Sequence, residues 1–124
     1  MTRLNHINLG VSEVPELTRF FVEGFGFRVA ETRGVGGFAV LIGEDGFVLI
    51  LMRDEYVTDT TYPALFHVGF LVDSAEKVRE HHARIVAAGF DAPEPAVLQR
   101  GGGKTYGFYA KPHGVMVEVS CPAE

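Results

Sequence analysis

Only one cysteine, Cys121, stands in the whole chain, so no disulfide can close within it. That fits a reducing cytoplasm, and a lone cysteine near the end of a chain reads as a packing residue rather than a nucleophile. Positive charge is also scarce: 11 Lys and Arg against 16 Asp and Glu leave a net charge of -5 and a pI near 5.5. Such a balance argues against nucleic acid or an anionic membrane as the main partner. No apolar run approaches the roughly 20 residues a spanning helix needs, and the first residues do not read as a secretory leader. No low-complexity tract interrupts 124 residues that are 47% hydrophobic and 22% charged, which suits one domain with a substantial core.

What the chain does have is three short apolar runs, each carrying polar residues on one side. In FHVGFLV, strand geometry puts Phe66, Val68, Phe70 and Val72 on one face and His67, Gly69 and Leu71 on the other. Near the start, Ile7, Leu9 and Val11 alternate with Leu4, His6, Asn8 and Gly10; near the end, Val115, Val117 and Val119 alternate with Met116, Glu118 and Ser120. An ionised carboxylate on an otherwise apolar strand costs several kcal/mol unless it is paired or bound to metal. Glu118 therefore needs a partner, and His6 and His67, through a shared metal ion, are the candidates.

Between these runs the pattern repeats. Ser12 is placed to cap a helix with Glu13, Pro15 and Glu16 in its first turn, and Val14, Leu17, Phe20, Phe21 and Gly24 follow at helical spacing. Strands are predicted over 27–33, 37–42 and 47–52, divided by glycine turns. From Phe66 the order returns: a strand, a helix from about Ser74 to Ala88, a weak edge piece near 90–97 broken by Pro93 and Pro95, then strands over 104–110 and 115–120. The chain thus divides into module one at about 1–53, a linker at about 54–64 and module two at about 65–124. HINLGVS at His6 answers HVGFLVD at His67, and Gly26-Phe27 answers Gly89-Phe90.

Other features carry less. Gly103-Lys104-Thr105 looks like the end of a phosphate loop, but Leu98 stands where that motif needs glycine. His81 and His82 adjoin on a helix and so point apart, His82 inward and His81 to solvent. Gly101 to Gly103 reads as a mobile loop at a cavity mouth, and at least one of Tyr106, Phe108 and Tyr109 is expected to face that cavity.

Two β-α-β-β-β modules, a histidine in the first strand of each, and a C-terminal glycine turn leading into a glutamate-bearing strand resemble the vicinal oxygen chelate superfamily. That group includes glyoxalase I, extradiol dioxygenases, fosfomycin-resistance thiol transferases and bleomycin-binding resistance proteins. The resemblance runs through NHINLGVSEVPELTRFFVEGFGFRV, FHVGFLVDSAEKVREHHARIVAAGF and FYAKPHGVMVEVS, nearly the whole chain. It implies an α+β fold whose two modules form a cup-shaped mixed sheet with helices outside. It also implies a divalent metal, Fe, Mn, Ni or Zn, held by His6, His67 and Glu118, with Glu118 the candidate catalytic group as well. The fourth ligand position of glyoxalase I falls on Ile50, which cannot bind metal. The pocket is then expected from Asn8, Val48, Ile50, Met52, Tyr106, Phe108 and Tyr109.

Three functions stay open on this resemblance. One is a metal-dependent lyase, thiol transferase or dioxygenase acting on a small oxygenated or natural-product substrate. Another is a metal-free protein that gives antibiotic resistance by sequestering its ligand, and the third is an idle sensor or scaffold. A homodimer is implied too, and in short members of the family the cup is often built from module one of one chain and module two of another.

Overall fold

Val14, Leu17, Phe20, Phe21, Gly24 and Phe25 fall on one stripe of a helix and all are buried. In the computed structural model, which describes residues 1–58, 61–100 and 102–123, this helix is α1 (Val14–Phe25). Strand β1 (His6–Val11) precedes it, and β2 (Arg28–Arg33), β3 (Phe38–Ile42) and β4 (Val48–Arg53) follow. The same order returns as β5 (His67–Leu71), α2 (Ala75–Ala87), β6 (Ala96–Arg100), β7 (Gly103–Ala110) and β8 (Met116–Pro122). The strands form two four-stranded mixed sheets, ordered β1-β4-β3-β2 and β5-β8-β7-β6. In each, the first and last strands of the module run parallel and the other neighbours antiparallel. The α+β fold with two β-α-β-β-β modules is thus as the sequence implies.

Period-two alternation gives each sheet one apolar face. Leu9, Val11, Ala39, Leu41, Leu49 and Leu51 are buried in sheet one, and Phe108, Ala110, Val117, Val119 and Cys121 in sheet two. Both sets join one hydrophobic cluster with the inner residues of α1 and α2. Phe20 meets Phe21, Phe25 and Phe90 with ring centroids 5.2 to 5.7 Å apart, so aromatic packing crosses between the modules. The helices approach closely because Gly24 has no side chain: a Cβ there would lie 2.9 Å from Cγ1 of Ile85. Helix α2 also covers carbonyls left open at the end of α1, where Arg84 Nε donates to Glu23 O (3.1 Å) and His81 Nδ1 to Gly24 O (2.8 Å). Among the described residues no helix is long and apolar enough to cross a membrane.

The structure departs from local expectation in a few places. Ser12 does not cap α1; Glu13 holds that position without a side-chain bond, whereas Ser74 does cap α2 by accepting from Lys77 N. Strand β6 begins at Ala96, later than expected, because Pro93 and Pro95 have no N–H for a ladder. His81 is not solvated: it is half-buried and stacked on Phe25 at 5.0 Å. His82 does turn inward, donating to Ala92 O and meeting the Phe108 ring edge-on. Of the expected mouth loop, Gly101 lies outside the described residues and Gly103 begins β7.

Between β4 and β5, Tyr62 stacks on Phe66 and donates its hydroxyl to Gly10 O at 2.6 Å, pinning this segment to β1. Burial pushes the Tyr62 hydroxyl pKa up, so the folded state holds this proton more tightly than the unfolded chain does. Tyr62→Phe should therefore cost about 1 kcal/mol at neutral pH. The deficit should shrink as pH rises past about 10, where the wild type loses the contribution of the bound proton. Urea titrations of both proteins at neutral and alkaline pH check this.

Candidate functional site

Among the described residues, no helix covers the second face of either sheet. On sheet one the strand register sets side chains in rows: His6–Val48–Ile42–Arg28, Asn8–Ile50–Val40–Glu31 and Gly10–Met52–Phe38–Arg33. One edge of this face is thus polar, its centre is apolar and its far edge is charged. Arg33 reaches back over the Phe38 ring at 4.9 Å and pairs with Glu31. On sheet two the rows are Gly69–Glu118–Tyr109 and Leu71–Ser120–Gly107–Ala96.

Glu118 sits at the centre of the second face. Its row neighbour on β5 is Gly69, where a Cβ would meet only Cβ of Glu118, at 3.9 Å, and His67 lies one row away. Nε2 of His67 lies 3.2 Å from Oε1 of Glu118. The outer atom of each group is already engaged. Nδ1 of His67 is 2.9 Å from Leu65 O, and because a carbonyl only accepts, Nδ1 carries the proton. Oε2 of Glu118 accepts from Ser120 Oγ at 2.8 Å. With Nδ1 protonated, Nε2 and Oε1 are favourable neighbours when a positive charge lies between or beside them. A proton on Nε2 would serve, as would a metal ion: metal–N and metal–O bonds of about 2.1 Å put two adjacent ligand atoms about 3 Å apart. Tyr109 lies edge-on to the His67 ring at 5.6 Å and closes its other side.

His6 has the same local design on sheet one. Its Nδ1 lies 2.7 Å from Asn5 Oδ1, which again leaves Nε2 for a ligand. It stands apart from the other two, however. Among the described residues no three His, Cys, Asp or Glu side chains gather closely enough to hold a metal ion, so one chain brings together His67 and Glu118 but not His6.

The pocket residues divide by strand parity. Asn8, Val48, Ile50 and Met52 share the open face of sheet one with His6. Tyr109 shares the open face of sheet two, directly opposite Glu118. Phe108 does not: it is 2% exposed, opposite Val119 in the core. Tyr106, opposite Cys121, also packs toward the core. Neighbouring residues on a strand point to opposite faces, so Tyr109 and Phe108 cannot both line one pocket. Sequence reasoning gave no role to Ser120 or Asn5, although Ser120, two positions beyond Glu118, had to share its face. A mostly apolar cavity of about 590 Å³ runs along β5 between the modules and reaches the site at His67, lined also by Leu4, Ile7, Phe25, Phe47 and Phe70 among others.

Comparison with known proteins agrees with this architecture. Residues 3–119 match the Glyoxalase/Bleomycin resistance protein/Dioxygenase superfamily. A structure described as a possible glyoxalase from Bacillus cereus is 35% identical, with a TM-score of 0.78 over 98% of this chain and 100% of that one. A glyoxylase/bleomycin resistance protein/dioxygenase domain from Frankia sp. EAN1pec shares the fold at 20% identity, with a TM-score of 0.73 over 99% of each chain. So does a mutant of FosX, a fosfomycin resistance protein from Listeria monocytogenes, complexed with Mn(II) and 1S,2S-dihydroxypropylphosphonic acid. It is 20% identical, with a TM-score of 0.72 over 99% of this chain and 92% of that one. No curated protein matches the chain. With the family's match running through both modules, the chain belongs to the Glyoxalase/Bleomycin resistance protein/Dioxygenase superfamily.

Proposed function

We propose that this protein is a divalent-metal-dependent enzyme acting on a small oxygenated or natural-product substrate, in a cup assembled from sheet one of one copy and sheet two of a second. The observation that carries the reading is the His67–Glu118 pair, Nε2 and Oε1 held 3.2 Å apart on the open face of sheet two with their outer atoms already bound. His6, held by Asn5 on the unpaired edge strand of sheet one, is the third ligand and comes from the second copy. The Mn(II) complex of the Listeria relative supports a divalent ion here, Fe, Mn, Ni or Zn.

Held by His6, His67 and Glu118, a divalent ion would supply Lewis acidity toward substrate oxygens. The protein does the rest. Asn8 offers a hydrogen bond beside His6, Val48, Ile50 and Met52 give the substrate an apolar wall, and Tyr109 braces His67. Glu118, the candidate catalytic group, presents Oε1 beside Nε2 of His67. With Ile50 at the remaining ligand position, open coordination sites are left for substrate, as in dioxygenases and thiol transferases; lyase, thiol-transfer and ring-opening chemistry all fit that arrangement. The single cysteine, buried and free, suits a cytoplasmic location.

A second reading, metal-free sequestration of an antibiotic, draws on the apolar centre of sheet one, where Phe38, Val40 and Ile42 lie beside Val48, Ile50 and Met52. Elemental mass spectrometry separates the two. Protein purified without chelator or an affinity metal should carry about one equivalent of Fe, Mn, Ni or Zn per chain, one for each cup of a symmetric dimer. No metal, even after incubation with each ion, overturns the enzyme reading, and tight binding of an aromatic antibiotic without turnover would then favour sequestration.

A further inference from the structure

Ser120 is a buried polar residue on a face that is otherwise half-open: it is 6% exposed, while Glu118 and Met116 on the same strand are more accessible. A serine there could be a packing residue whose hydroxyl finds any nearby acceptor. Its bond is more selective than that. The hydroxyl donates to Oε2 of Glu118, the oxygen turned away from His67, at 2.8 Å. Oε1 is left toward Nε2 of His67. Across the sheet, Ser120 lies opposite Gly107. A Cβ at Gly107 would come within 2.8 Å of both Cα and Cβ of Ser120, so only glycine fits opposite the serine.

We propose that Ser120 is a positioning residue for Glu118: it ties down one carboxylate oxygen, stops the group from rotating, and presents the other as a single-oxygen ligand beside His67. This rests on the metal-site reading given above and extends it to a residue beyond the three ligands. The parallel with the histidines supports it, because Leu65 O fixes His67 and Asn5 fixes His6 in the same way, each through the atom that does not ligate. Of the two side chains that do this, Ser120 should matter more. Asn5 is exposed, so water competes for its bond, whereas the bond from Ser120 is shielded.

The test is Mn(II) affinity, measured by electron paramagnetic resonance titration of the intact protein, with the urea midpoint recorded for each variant. Ser120→Ala should weaken Mn(II) binding by about 10- to 100-fold, the usual cost of removing a partner that orients a metal ligand. Ser120→Thr, which keeps the hydroxyl, should restore most of it, and Asn5→Ala should weaken binding less than Ser120→Ala. A Ser120→Ala protein that binds Mn(II) as tightly as wild type, or a threonine variant no better than the alanine, overturns the positioning role and leaves the metal site standing. Wild-type protein that binds no Mn(II) overturns the metal site itself and this inference with it.

Discussion

Dimers that pair a His6→Ala chain with a Glu118→Ala chain are expected to bind metal although neither parent dimer does. If each cup takes His6 from one copy and His67 with Glu118 from the other, a mixed dimer holds one cup with both substitutions and one with neither. Each parent dimer, by contrast, has two cups lacking a ligand, and should lose more affinity than the 10- to 100-fold that an outer partner costs. Random pairing makes about half the dimers mixed, so an equimolar mixture refolded together should bind about a quarter of the wild-type metal. The experiment decides between arrangements, because cups closed within single chains would leave every cup in the mixture defective and binding near zero. It follows from the separation of His6 from the His67–Glu118 pair within one chain. The unpaired edges at β1 and β5 supply the surfaces along which copies could meet.

The sequence disclosed the fold because its signals are local and repeat. Alternation in three apolar runs marked the strands at the centre of both modules, and a buried stripe from Val14 to Phe25 marked α1. What it did not disclose depends on register and on contacts between distant segments. Tyr109 faces Glu118 and Phe108 faces the core because of how β7 pairs with β8, and a run of aromatics does not reveal its own parity. His81 was misplaced for a similar reason. Its helix position alone points outward, but α1 lies there, with an open carbonyl at Gly24 for the ring to cover. The candidate ligands were legible as odd polar residues on apolar strands. Which sheets face each other is a property of packing, and so His6 could be named without being placed.

Gly107→Ala should be among the most damaging single changes in this chain, at about 3 kcal/mol or more, the upper range for overpacking a site that cannot yield. Gly107 is buried in β7, between β6 and β8. An added Cβ would run into the backbone oxygen of Val119 and come within 2.8 Å of Cα and Cβ of Ser120. These are mostly backbone atoms of the next strand, so no rotamer change relieves the clash; β7 would have to move away from β8. Gly102→Ala is the control, since a Cβ there meets nothing within 4 Å, and its effect should stay within about 0.5 kcal/mol. Thermal and urea unfolding measure both, and equal stability for the two variants would refute the close β7–β8 packing. Mn(II) binding by Gly107→Ala, measured well below its melting temperature, carries the point to the site. Moving β7 displaces Tyr109 from His67 and shifts Ser120 against Glu118, so affinity should fall even in molecules that remain folded. A residue with no side chain would then be setting the aim of the carboxylate, because it is the floor against which Ser120 rests.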